Sequence, residues 1–415
     1  MALSLNENRR NVGGARQGAA TLLVILIALI SLYAPTSVGG NIMGDFIPLY
    51  ICGLCVLLLF YGVLGGAVRG NAYYSVMLLG LLAFFTATSP LPKYAFGAIF
   101  PYIGVCCVLL VDVNPLEIKR RKFVLLLMSL PMLALGWATV LGIDEIISIQ
   151  ENWYQMTRED MFESLVGWFA KPVAVFGTHS VAAFVYFAIC LLLLRFAKHT
   201  TSKFERLLAG VLFVGFAALL PMLLSTSSFG LFGILVAILL FNGLKRVSWQ
   251  ANMAFAFIAI LTAAYLLLSG NLGVDVLSDD AVNVLTSKGN GLSGRFAQGS
   301  RLEPTYDYLF DNYFLPVGIT YDEIIEFGDG FIAEYVLRTS PLGYLLVLVM
   351  LFNFLKSTLS RKRELLLFML FFFVADLGYP LLTTFRAAFI LPLYMVLWSS
   401  FGPQPAGGAT DEVLA

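Results

Sequence analysis

Charge is scarce in this chain of 415 residues: Lys, Arg, Asp and Glu together make up 13%, where ordinary soluble domains carry about 25%. That excludes a water-covered globule. The two signs are equal in number, 26 each, so there is no net field for a polyanion, and nucleic acid is not an expected partner. Histidine is nearly absent, with His179 and His199 alone. The five cysteines, Cys52, Cys55, Cys106, Cys107 and Cys190, all lie in apolar runs and make no disulfide framework. Cys52 and Cys55 have the spacing of a redox or metal pair. With no His or acid beside them they read as small packing residues. The first apolar run also lacks the small-residue site of a cleavable signal peptide.

Apolar residues are what the chain has: 59% of the total, with a mean hydropathy of +0.85. Its solvent is lipid. A spanning helix needs about 20 apolar residues, which gives about twelve spans, near 19–38, 46–66, 71–88, 94–113, 123–141, 180–194, 204–224, 229–244, 251–269, 331–355, 365–383 and 385–401. Pro101 and Pro341 interrupt the fourth and the tenth. The expected class is therefore an all-α polytopic membrane protein, one integral membrane domain over 1–415.

Orientation follows from Lys and Arg, which favour cytoplasmic loops. With the amino terminus inside, 18 basic residues fall on the cytoplasmic side and eight outside. Every short cytoplasmic turn is then basic, and an even span count returns the carboxyl terminus inside. Two long segments face outward, 142–178 and 270–339. In the first, Thr157 and Asp160 resemble a capping box. Met161, Phe162, Leu165, Val166 and Phe169 form one apolar helical face, flanked by Trp153, Tyr154 and Trp168 as interface aromatics. A helix lying flat on the outer leaflet is expected, as an anchor or as a guide for a lipid-linked substrate. Lys171 and His179 follow at the entry to the sixth span, and Ser225–Ser228 reads as a helix-capping turn.

The second segment is the functional candidate. Between 270 and 329 it holds ten acids but only Lys288, Arg295 and Arg301 as bases. The arginines therefore act as local forks that match phosphate oxygens. Leu302, Tyr306, Leu309 and Phe310 predict one packed face of a short helix. Arg338 lies about two turns into the tenth span, where a charge must face protein or water. Asp376 in the eleventh span and Arg386 at the start of the twelfth are under the same constraint, and Asp376 reads as a structural partner of other polar groups.

Four motifs carry a resemblance: Ser293-Gly-Arg295, Leu315-Pro-Val-Gly-Ile319, the run Asp329-Gly-Phe-Ile-Ala-Glu-Tyr-Val-Leu-Arg-Thr-Ser-Pro-Leu-Gly343, and Phe176-Gly-Thr-His-Ser180. Together with the span layout, these resemble the bacterial O-antigen polymerase and O-antigen ligase superfamily. Lys171 stands where many relatives have Arg, and Asp329 stands where the ligases have His, which tilts the resemblance toward polymerase. It implies a GT-C-like glycosyltransferase in the cell inner membrane. There a growing glycan passes from undecaprenyl pyrophosphate to a lipid-linked repeat unit on the periplasmic face, with inversion and without a metal or other cofactor. Arg295, Arg301 and Lys171 would hold the departing pyrophosphate, with Arg338 and Arg386 in reserve. Asp329 would take the acceptor proton, with Glu326 and His179 behind it. The implied partners are the lipid-linked oligosaccharide, membrane lipid, and a chain-length regulator and flippase of the same pathway. The competing readings are a ligase-type transferase and a lipid-oligosaccharide flippase. A flippase would show internal repeats and polar residues at mid-membrane; neither pattern dominates here.

Overall fold

The computed structural model describes residues 2–38, 41–42, 46–65, 68–112, 120–154, 171–176, 178–223, 303–323, 325, 327, 330–359 and 362–401, with a few positions between 228 and 239. Among them the helices are α1 (Ala2–Tyr33), α2 (Phe46–Gly65), α3 (Arg69–Thr88), α4 (Ile99–Leu110), α5 (Arg121–Val140), α6 (Asp144–Tyr154), α7 (His179–His199) and α8 (Lys203–Met222). They continue with α9 (Glu303–Asp311), α10 (Leu337–Thr358), α11 (Lys362–Gly378) and α12 (Phe385–Ser400). Two short antiparallel ladders join β1 (Ser37–Val38) to β2 (Asn41–Ile42) and β3 (Lys93–Tyr94) to β4 (Thr320–Tyr321).

The chain is an all-helical, membrane-embedded protein. Five stretches among the described residues are long and apolar enough to cross a bilayer: Gly70–Thr88, Arg121–Val140, His179–His199, Lys203–Met222 and Ile332–Thr358. Five shorter apolar helices pack beside them. A helix satisfies its backbone internally, which is why an apolar chain in lipid takes this form. α12 is the central spine. Its residues from Ala388 to Leu397 are buried, and it packs against α1, α2, α4, α5 and α7. Large apolar side chains such as Val63, Val76, Phe84, Phe204 and Leu366 are exposed on α2, α3, α8 and α11, as faces toward lipid require. The flat helix expected after Thr157 lies outside the described residues, as does the ninth expected span. A shorter helix, α6, precedes that stretch, with Asp144 and Glu145 at its positive end.

The helix ends sort onto two sides. On one, Arg121 donates to the Ser400 carbonyl, Lys122 pairs with Glu205, and Arg195 pairs with Glu364 at 3.3 Å while lying 4.2 Å over the Trp398 ring. This side gathers the basic ends of α5, α7, α8 and α11 around the end of α12. On the other, the end of α1 meets α6 and the start of α12, and the end of α3 meets β4 and the start of α10.

Arg386 shows how one of these corners is made. A helix end leaves its last four carbonyls without intrahelical donors. At the end of α1, Arg386 Nη1 donates to Leu32 O at 2.6 Å and to Ser31 O at 3.4 Å, and Nη2 donates to Ala34 O. Tyr154 donates its hydroxyl to the remaining carbonyl, Tyr33 O, at 2.9 Å. The buried guanidinium also lies 5.4 Å from the Tyr154 ring and 5.1 Å from the Phe385 ring. These contacts occupy Arg386 as a helix cap, away from the reserve phosphate role that the resemblance implies. Arg386→Leu is expected to lower stability by about 3 kcal/mol, because charge-assisted bonds to buried carbonyls are lost. A thermal melt of the purified protein in detergent measures it, and an unchanged midpoint contradicts the capping role.

Candidate functional site

The end of α10 nearest the long polar segment is shaped by a proline. Pro341 has no N–H to offer the carbonyl four residues back, that of Leu337. Ser340 before it takes φ 75° and ψ 169°, and the helix kinks there. Such a conformation is strained for any residue with a Cβ. The turn Leu315–Ile319 fills the gap: Val317 N–H donates to Leu337 O at 2.8 Å, and Gly318 N–H donates to Arg338 O at 3.2 Å. In return, Arg338 Nη1 donates to Gly318 O at 3.1 Å. Residues 318 and 338 are thus bonded in both directions.

The far side of the same turn is tied to α3 and β3. Ile319 N–H donates to Thr86 Oγ1 at 3.0 Å, and Ala95 N–H donates to Ile319 O at 2.9 Å. Thr320 Oγ1 donates to Val317 O at 2.6 Å. Gly318 has φ +63°, and a Cβ there would meet the Thr86 backbone at 2.4 Å, so only glycine fits. Lys93 and Glu323 close the outer rim as an exposed ion pair. The bond to Glu323 holds the Lys93 ammonium above the usual lysine range. A raised lysine stabilises the fold below its unfolded titration range and loses that contribution as pH rises through the folded one, so this tie is intact at neutral pH.

Beneath the turn lies a small apolar cluster of Leu309, Val317, Ile325 and Leu337. α9 contributes Thr305 and Leu309 to the buried side. Phe310, expected on that face, is exposed and packs edge-on to Phe314 at 5.2 Å. The reason is the break after Asp311, where Tyr313 and Phe314 take positive φ and draw the chain back over the helix.

Arg338 is buried. Its Nε lies 3.3 Å from Glu334 Oε1, and its guanidinium carbon lies 3.9 Å from the Phe327 ring centre. Glu334 sits in a π-helical turn, Ile332–Val336, that leads into α10. The sequence reading passes over Glu334. The available signal is its position four residues before Arg338 in an apolar run, a spacing that pairs opposite charges on a helix.

Lys171 and His179 occupy another corner at the start of α7. The segment after Lys171 is held by Gln150 Nε2, which donates to Ala174 O at 2.8 Å, and by the Tyr186 hydroxyl, which donates to Pro172 O at 2.6 Å. Lys171 is half-buried. Thr178 caps α7 through Oγ1, which accepts from Val181 N–H, leaving His179 as the first residue of the helix. Asp376 is fully buried and accepts from Leu381 N–H at 3.1 Å and the Tyr344 hydroxyl at 3.4 Å, a structural use. Arg295, Arg301, Glu326 and Asp329 lie outside the described residues. Comparison of the chain with protein families, with curated proteins and with solved structures finds no match.

Gly318→Ala is expected to free the turn from α10, because a Cβ collides with the Thr86 backbone and the φ is unsuited to alanine. Overpacking of this kind costs about 1–3 kcal/mol. Limited proteolysis of the protein in detergent reads it as faster cleavage between 303 and 330. Equal cleavage of variant and parent contradicts the docking described.

Proposed function

We propose that this protein is a glycosyltransferase of the O-antigen polymerase type. It would pass a growing glycan from undecaprenyl pyrophosphate to a lipid-linked repeat unit at the outer face of the bacterial inner membrane. The finer architecture belongs to the same proposal: about twelve spans in a GT-C-like arrangement, both termini cytoplasmic, and the active segments 142–178 and 270–339 periplasmic.

The observation that carries the reading is the two-way bond between Gly318 and Arg338. Two motifs that resemble the family, the apolar-Pro-x-Gly turn and the entry to the following span, meet there as one unit. A transferase working at a membrane surface needs its reacting groups anchored on a rigid element, and this junction fixes residues that follow Arg295 and Arg301 in the chain. Lys171 and His179 belong to the same side of the bundle. Support for an enzyme over a conduit comes from Asp376, which lies in the last turn of α11 and is occupied by the Leu381 N–H and the Tyr344 hydroxyl.

The reaction breaks an anomeric C–O bond to pyrophosphate. Arginine forks stabilise the departing anion bidentately, a role for Arg295 and Arg301, with Lys171 adding a point charge. Arg338 already has Glu334 as its counter-charge and is the weaker phosphate candidate. The acceptor hydroxyl must also lose a proton. The sequence offers Asp329, Glu326 and His179 for it.

Deleting the gene is expected to leave one repeat unit on each lipid carrier. Free lipid-linked polymer instead indicates a ligase, and repeat units trapped in the cytoplasm indicate a flippase. In the complemented strain, Arg295→Ala and Arg301→Ala are each expected to abolish elongation with normal amounts of protein in the membrane. Long-chain glycan on gels from both variants removes these arginines from the site.

A further inference from the structure

We infer that Glu334 is the carboxylate that takes the acceptor hydroxyl's proton and that Arg338 is its positioning residue, an assignment that rests on the transferase reading above. A carboxylate inside an apolar helix bundle is costly. A buried ion pair repays its desolvation only with close partners. Glu334 has them. Its carboxylate faces Arg338 at 3.3 Å with the side chain only 10% exposed. The main chain that carries it is fixed as well: its N–H donates to Gly330 O at 3.1 Å, and its main-chain carbonyl accepts from the Tyr102 hydroxyl at 3.1 Å.

Arg338 in turn cannot swing away. The Gly318 carbonyl, the Phe327 ring and Glu334 hold the guanidinium on three sides. It therefore supplies a fixed counter-charge beside the Glu334 carboxylate. The π-helical turn at Ile332–Val336 holds this pair at the junction with the polar segment. Such turns occur mostly as single-turn insertions in helices, frequently at functional sites.

The step balances. The acceptor hydroxyl oxygen forms its bond to the anomeric carbon as the C–O bond to pyrophosphate breaks, and that electron pair leaves with undecaprenyl pyrophosphate. The hydroxyl proton moves to a Glu334 carboxylate oxygen, which later returns it to water. Arg338 touches neither sugar; it fixes the carboxylate.

The test uses membranes containing the full-length protein and lipid-linked repeats isolated from cells lacking it. Glu334→Gln is expected to lower the turnover number about a hundredfold or more, the range for loss of a general base. KM should stay within about threefold, because binding is untouched. Glu334→Asp should retain part of the rate. If Glu334→Gln fails to accumulate, the double variant E334Q/R338Q removes both charges together, and it is expected to be as inactive. Turnover above a tenth of the parent's in any accumulating variant without the carboxylate overturns the assignment, as does loss with Asp329→Asn alone. Parent protein that never elongates the repeats overturns the transferase reading itself.

Discussion

The missing N–H of Pro341 organises the polar end of the molecule. It frees the Leu337 carbonyl, and the kink at Ser340 frees the carbonyl of Arg338 with it. In lipid an unpaired carbonyl costs several kcal/mol, so something must fill the vacancy. The turn Leu315–Ile319 does so with its backbone, and this sets its distance from α3, the positive φ of Gly318 and the position of the Arg338 side chain. Remove the proline and the helix would close its own bonds, leaving the turn no reason to dock.

The other buried polar groups obey the same rule with different partners. Arg386 and Tyr154 serve the end of α1, and Asp376 caps the break before α12 through Leu381 N–H. Asn71 joins α3 to the carbonyls of Leu109 and Met350 at 2.7 and 2.9 Å. Each spends its donors or acceptors on backbone that lipid cannot satisfy. The Glu334–Arg338 pair adds charge meeting charge to the same rule, since Arg338 also donates to the Gly318 carbonyl.

Much of the helical layout could be read from apolar length and from Lys and Arg. The starts of α2, α3 and α12 fall within two residues of expectation, and the charged ends sort onto two sides. The break at Pro341 was also legible, since it is a local backbone effect. Three things were not. Phe310 turned outward because a chain reversal after Asp311 competes with helical periodicity. α6 was missed because eleven residues with only Ile147 and Gln150 buried leave a weak apolar signal. Glu334 was overlooked because its meaning depends on Arg338 being held still by residues 20 positions away. Periodicity reports faces; it does not report which charges a distant turn will trap.

The capping of α1 by Arg386 has a consequence for how the protein is made. α1 is made long before α12, yet the donors for the carbonyls of Ser31, Leu32 and Ala34 at its end come from Arg386. Until then those carbonyls must keep water or headgroups near them. That end of α1 therefore stays provisional while the residues between are made. It is completed only when α12 takes its place among α1, α2, α4, α5 and α7.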